Sequence, residues 1–249
     1  MIESEYAAQA AGLVDRVVTT QLPAIQTAAS MVAGSIAAGG VLQAFGTGHS
    51  RIVTLELAGR AGGLAPVGML AVKDLVMFGG ENPAAILDPT YERETGVAER
   101  IYALAKPRSV DTFLIVSNSG LNAAIVEMAE LVHARGHGLV AITSFAHTRS
   151  SAARHTKGPH LADLADVVID NCAPVGDASI EIAPDVRVGA VSSFTGVLVA
   201  QVLTELTCRY LLDMGHDVPV FISANLASGD AHNRTFQERY RRGVRPIEP

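Results

Sequence analysis

Two short polar runs carry the residue types that can handle an anionic, oxygen-rich ligand. The first, Gly-Thr-Gly-His-Ser at residues 46–50, follows the apolar run Val41 to Phe45 and precedes a stretch of helical spacing. Gly46 and Gly48 permit a tight turn with open backbone amides, Thr47 and Ser50 add hydroxyls, and the following helix aims its positive end at the loop. Such a loop is a phosphate cradle. It is not a dinucleotide fingerprint, because Arg51 stands where GxGxxG needs its third glycine, and no GK[ST] follows to make a P-loop. The plain alternative is an ordinary strand-to-helix turn. The second run, Ser117-Asn118-Ser119-Gly120 with Asn122, brings several donors to the start of another helix, where a cap needs only one. It does not read GxSxG, so it argues for non-covalent capture of a phosphomonoester rather than for a serine nucleophile.

Proton transfer needs other groups. Glu56 lies in the helix after the first loop, beside a face marked by Ile52 and Leu55 whose burial would suit a base working near neutrality. Glu56 and Arg60 also form an i, i+4 pair in the favourable order, which alone would account for both. His232 falls in the first turn of a C-terminal helix that Asp230 is expected to cap, and the positive helix end there favours a neutral imidazole. Glu81, in Gly-Gly-Glu-Asn-Pro, sits on a loop able to fold over a ligand. His133 and His137 have metal spacing but are separated by Gly136, and His147, His155 and His160 have no carboxylate or cysteine cluster nearby, so no metal or other cofactor is expected.

The elements that must position these residues alternate. Residues 3–38 are periodic, with Pro23 expected to divide two helices. Strands are expected at Val41–Phe45, Leu64–Leu70, Thr112–Val116, Leu139–Thr143 and Val167–Asp170, and helices at about 50–61, 91–105, 122–134, 195–214 and 230–242. The strands are short and continuously apolar, which predicts an α/β fold with a parallel sheet covered on both faces. No linker divides the chain, so residues 1–249 are expected to form one domain: N-terminal helices over 1–38, then an α/β core with C-terminal helices. In open sheets of this kind ligands bind beyond the carboxyl ends of the strands, and an order 2-1-3-4-5 would bring the two polar loops together there.

Composition narrows the function classes. A net charge of −6 gives no general attraction for nucleic acid or an anionic membrane. No apolar stretch reaches the roughly 18 to 20 residues of a membrane span. The two cysteines, Cys172 and Cys208, fit no CxxC pattern, and a cytoplasmic protein with packed thiols is expected. Arg239, Arg241, Arg242 and Arg245 make a basic tail read as a solvated or subunit-contacting helix end.

The strand with GTGHS, the strand with SNSGxN and the later SSFTG helix entry resemble a sugar isomerase (SIS) domain over nearly the whole chain. More closely, AFGTGHSRIVTLELAGRAGGLAPV, VIDNCAPVGDASIE, VGAVSSFTG and VFISANLASGDAHNRTFQERY resemble an incompletely characterised SIS family related to phosphoheptose isomerases and N-acetylmuramic acid 6-phosphate etherases. The resemblance implies a five-stranded doubly wound sheet, a sugar phosphate as ligand and sites completed across a homodimer. It implies that Ser117, Ser119 and Asn122, with Asn118 in the same loop, grip phosphate. Thr47, His49 and Ser50 would face the sugar, and Ser192 or Ser193 would complete the pocket. Deprotonation at C2 of an open-chain aldose phosphate gives an enediol, or the related enolate for an acetamido sugar. Reprotonation at C1 makes an isomerase, expulsion of a C3 substituent a lyase or dehydratase. The chain has three lysines, none near its carboxyl terminus, and elimination from an amino sugar 6-phosphate is the expected reaction. The alternatives are a phosphoheptose-type isomerase and a non-catalytic phosphosugar sensor.

Overall fold

The computed structural model describes residues 4–88, 90–150 and 158–247. A long first helix, α1 (Glu5–Ala37), leads into β1 (Leu42–Gly46), a 3-10 turn (Gly48–Ser50), α2 (Arg51–Leu57) and β2 (Val67–Leu70). After α3 (Asp74–Met77) come two 3-10 turns, Ala85–Leu87 and Tyr91–Arg93, then α4 (Val97–Ala105) and β3 (Thr112–Val116). There follow α5 (Ala123–Ala134), β4 (Gly138–Thr143), α6 (Phe145–Thr148), α7 (Leu161–Leu164) and β5 (Val167–Asp170). A hairpin, β6 (Ala178–Ala183) with β7 (Val186–Ala190), precedes α8 (Ser192–Asp213) and α9 (Gly229–Tyr240).

The five core strands are parallel in the order β2-β1-β3-β4-β5, the doubly wound arrangement that their alternation with helices predicts. Alternate residues of each strand feed two cores. Leu42, Ala44, Leu114, Val116, Val140 and Ile142 pack under α1, α2 and α8, while Phe45, Phe113, Ile115, Leu139 and Ala141 pack against α4, α5 and α7. Burial on both faces is why these strands read as unbroken apolar runs.

The structure departs from the expected elements in several places, among them the expected strand Leu64–Leu70, which starts at Val67, and the expected helix 91–105, which starts at Val97. Pro23 does not divide two helices; it lies inside the 33-residue α1. A proline costs a helix interior about 3 kcal/mol, but Pro23 is on the exposed side, where water can take up the carbonyl it frees. The buried stripe Val17, Ile25, Ala28, Ala29 and Val32 continues past it against the core. The helix after the first loop ends at Leu57, not Ala61, and buries Val53, Thr54 and Leu57. Ile52 and Leu55 are instead 44% and 52% exposed, so they do not form the buried face expected beside Glu56. Asp230 does not cap α9: Ser228 holds the cap position without a side-chain bond, and Asp230 is in the first turn. The β6–β7 hairpin has no counterpart in the expected elements; its residues are mostly exposed, and a ribbon lying outside the sheet gives no core-facing run to read. His155 lies outside the described residues.

Candidate functional site

The carboxyl ends of β1 and β3 are in register, Gly46 opposite Val116, so the loops that follow them begin side by side. Gly46 is required for that approach. A Cβ on it would stand 3.2 Å from both the Ser50 and the Val116 carbonyl oxygens, tighter than backbone neighbours readily allow. Gly48 has φ +54, a left-handed conformation that a side chain would strain. Between them Thr47 is buried, its carbonyl accepting from the Ser50 amide at 3.1 Å. His49 is exposed and Ser50 half-buried.

The second loop folds on its own hydroxyls. Buried Ser117 accepts the Gly120 amide at 3.0 Å, and half-buried Ser119 sits over the Leu121 amide at 3.4 Å. Each hydroxyl keeps its proton for a ligand, since both bonds use only the oxygen as acceptor. Asn118 turns the other way: its Oδ1 accepts from Asn171 Nδ2 at 3.1 Å, and its carbonyl takes the Ser144 amide, which ties the loop to the ends of β4 and β5. Asn122 holds the cap position of α5 without a side-chain cap bond, because its Nδ2 donates instead to Glu92 Oε1 at 2.8 Å.

Glu92 was not singled out in the sequence. It belongs to the 3-10 turn Tyr91–Arg93, which contacts of Tyr91 and of Gly96 hold in place. Tyr91 is buried and its hydroxyl donates to Glu81 Oε2 at 2.6 Å; burial, then the Glu81 carboxylate, push the phenol above its usual value and keep it a donor. Three residues past the turn, the Gly96 amide donates to both carboxylate oxygens of Glu127 at 3.0 Å. Glu92 is thereby presented between the two loops, its Oε2 3.8 Å from where a Cβ on Gly48 would stand. The expected helix 91–105 would place Glu92 in its first turn; instead 91–93 form a 3-10 turn and α4 starts only at Val97.

The other proposed acids and bases are placed differently. Glu56 pairs with Arg60 and also accepts from Gln201 Nε2 of α8 at 2.5 Å. Glu81 carries the Tyr91 hydroxyl on one oxygen and Arg100 Nη1 at 2.5 Å on the other. His232 donates through Nε2 to the Val220 carbonyl at 2.9 Å, with Phe236 edge-on to its ring. Val220 bridges to Leu64, just ahead of β2, so the imidazole lies near the amino end of the sheet, opposite the loops. At the start of α8, Asp177 Oδ1 accepts the Val191 and Ser192 amides at 3.0 and 2.8 Å and its Oδ2 accepts the Ser192 hydroxyl at 2.7 Å. Ser193, in the same turn, is half-buried.

A groove of about 340 Å³ opens on the outer side of the first loop, lined by Gly48, His49, Arg51, Ile52, Leu55, Met69 and Lys73. Burial, and after it the Arg51 guanidinium, lower the Lys73 pKa from its ordinary value, while Asp74 acts in the opposite direction. A larger cavity of about 620 Å³ lies elsewhere, between α9, the C-terminal segment and residues 59–67. Both cysteines are half-buried thiols whose pKa burial raises, and the described residues contain no group of three metal-binding side chains. Among those residues no helix is long and apolar enough to cross a membrane.

Residues 5–144 match the SIS domain family. A UPF0309 protein of Halalkalibacterium halodurans is 35% identical over 229 residues, 92% of this chain and 93% of the relative. One from Thermoanaerobacter pseudethanolicus is 33% identical over 248 residues, 98% and 99% of the two chains. Among solved structures, the phosphoheptose isomerase of Francisella tularensis superposes with a TM-score of 0.53 at 17% identity, covering 81% of this chain and 94% of that one. That of Neisseria gonorrhoeae gives 0.52 at 16%, covering 80% and 94%. These two likenesses are of fold.

Proposed function

The chain belongs to the SIS domain family, and from that premise we propose that it is an enzyme acting on a 6-phosphorylated amino sugar, removing the C2 proton and expelling a C3 substituent. The observation that carries this reading is the register of Gly46 with Val116, which starts GTGHS and SNSG side by side at the carboxyl ends of adjacent strands, where ligands of such sheets bind. Ser117, Ser119 and the first amides of the 12-residue α5 hold the phosphate, because they combine free hydroxyl protons with a positive helix end. Thr47, His49 and Ser50 face the sugar from the opposite wall.

Elimination also needs an acid for the departing oxygen at C3. His232 lies at the far end of its own sheet, so its participation requires a second copy of the chain, and the working unit is a homodimer with shared sites. Glu56 and Glu81, each tied to an arginine, are given no part in proton transfer.

Incubation with N-acetylglucosamine 6-phosphate and its 3-ether derivatives in deuterated water tests the reading. Deuterium at C2 together with loss of water or of the ether substituent is expected. Deuterium with a ketose product makes the protein an isomerase, and binding without exchange makes it a sensor; either result overturns the elimination.

A further inference from the structure

We infer that Glu92 is the base that takes the C2 proton, and that Asn122 is its positioning residue rather than a phosphate ligand. This rests on the sugar-phosphate reading above and names the group on which its chemistry turns.

Glu56, Glu81 and Glu92 are told apart by their partners. Glu56 holds Arg60 and Gln201 on Oε1, and Glu81 holds Tyr91 and Arg100 on its two oxygens, so each carboxylate sits against a guanidinium that favours its ionised form over accepting a proton. Glu92 has neither constraint: the hydrogen bond it accepts comes from a neutral amide, Asn122 Nδ2, and it uses only Oε1. Its Oε2 is directed toward Gly48, into the space between the loops. The turn that carries it is clamped on one side by Tyr91 and Glu81 and on the other by Gly96 and Glu127, so the carboxylate is held in place before any ligand arrives. The neighbouring glycine also matters: at residue 48 a side chain would point at the oxygen that must meet the substrate.

The same geometry moves Asn122 out of the phosphate site. A phosphate dianion on Asn122 Nδ2 would lie against a carboxylate 2.8 Å from the same nitrogen, two like charges at one donor. Phosphate is therefore held on the hydroxyl side of the loop, by Ser117 and Ser119, and the sugar carbons extend toward Glu92. In the step itself the C2–H bond breaks, its electron pair forms the C1–C2 double bond, the carbonyl π electrons move onto O1, and the proton passes to Glu92 Oε2. No oxidant, reductant or further reactant enters.

The test compares the wild type with Glu92→Gln, using N-acetylglucosamine 6-phosphate, calorimetric binding and proton-NMR exchange at C2 in deuterated water. Loss of exchange by about 100-fold or more, in the range of general-base contributions, with affinity kept within about threefold, supports the assignment. Exchange by E92Q at the wild-type rate overturns it and leaves the proposed function standing. A wild type that binds but does not exchange overturns it as well, and one that does not bind removes the proposed function with it. Should E92Q melt early by circular dichroism, Glu92→Asp, which withdraws the carboxylate by one methylene, is judged by the same ratio. Asn122→Ala should lower kcat with KM unchanged; a raised KM at unchanged kcat would return Asn122 to the phosphate.

Discussion

Ser117 and Ser119 offer the same hydroxyl to the same ligand from different degrees of burial, and replacing each with alanine should separate folding from binding. In Ser119→Ala the lost contact is a 3.4 Å approach to the Leu121 amide by a half-buried side chain. That cost to folding should stay within about 0.5 kcal/mol. The hydrogen bond to a charged phosphate is worth about 1.5–3 kcal/mol, which weakens binding roughly 10- to 150-fold. In Ser117→Ala the same affinity is lost and a second cost appears, because Oγ accepts the amide of buried Gly120 at 3.0 Å. Leaving that amide unpaired costs about 1–3 kcal/mol, and at this chain length each kcal/mol lowers Tm by about 2–4 °C. Calorimetric titration with N-acetylglucosamine 6-phosphate, beside thermal melts of the ligand-free variants, reads both quantities. The reasoning fails if S119A binds like the wild type, or if S117A loses affinity without losing stability.

Two further expectations concern the frame. His137 is buried as a neutral ring whose Nδ1 faces the Asp111 carbonyl at 3.2 Å, so it donates there, and Nε2 accepts from the Tyr102 hydroxyl at 2.7 Å. Burial lowers its pKa below the usual histidine value. Between that usual value, about 6.5, and the lowered one the unfolded chain binds more protons than the native, so this contribution is complete above about 6.5 and fades as pH falls through the lowered value. Urea midpoints measured from about pH 7.5 to 5 should therefore slope less in His137→Gln, and parallel slopes would refute the coupling. Asp177→Ala removes three hydrogen bonds from the start of α8 and should cost about 1–2 kcal/mol. Asp177→Asn, which keeps an acceptor and tolerates the left-handed backbone at φ 66, should cost much less; equal urea midpoints for the two variants would show that the cap carries no weight.

Strands Thr112–Val116 and Val167–Asp170 match their expected bounds residue for residue. The first, buried along its whole length, announces itself by unbroken apolar content, and the second, an edge strand buried at alternate residues, by the run Val167-Val168-Ile169. The meeting of GTGHS and SNSG was legible too, because strand order and the carboxyl-end rule together place loops before any side chain is known. Pro23 misled because local preference is a weak prior against a packed stripe that runs on past it. Glu56 shows the limit from the other direction: the i, i+4 spacing that makes it a visible carboxylate also supplies Arg60. Glu92 and Asn122 are 30 residues apart and meet only through the packing of Tyr91 and the Gly96–Glu127 contact, neither of which has a period to detect.

The Asp177 contact at the start of α8 bears on where an anion can settle. Two long helices, α5 and α8, bring positive ends into the protein's loop regions, and both would attract a phosphate on charge alone. The chain answers one with a carboxylate of its own. At α5 the cap residue itself, Asn122, gives its side chain to Glu92 and makes no cap bond. On the proposed reading, ligand placement would be decided partly by exclusion: one helix start is already neutralised from within, which leaves the SNSG turn to an incoming dianion, with Glu92 on the far side of a single asparagine.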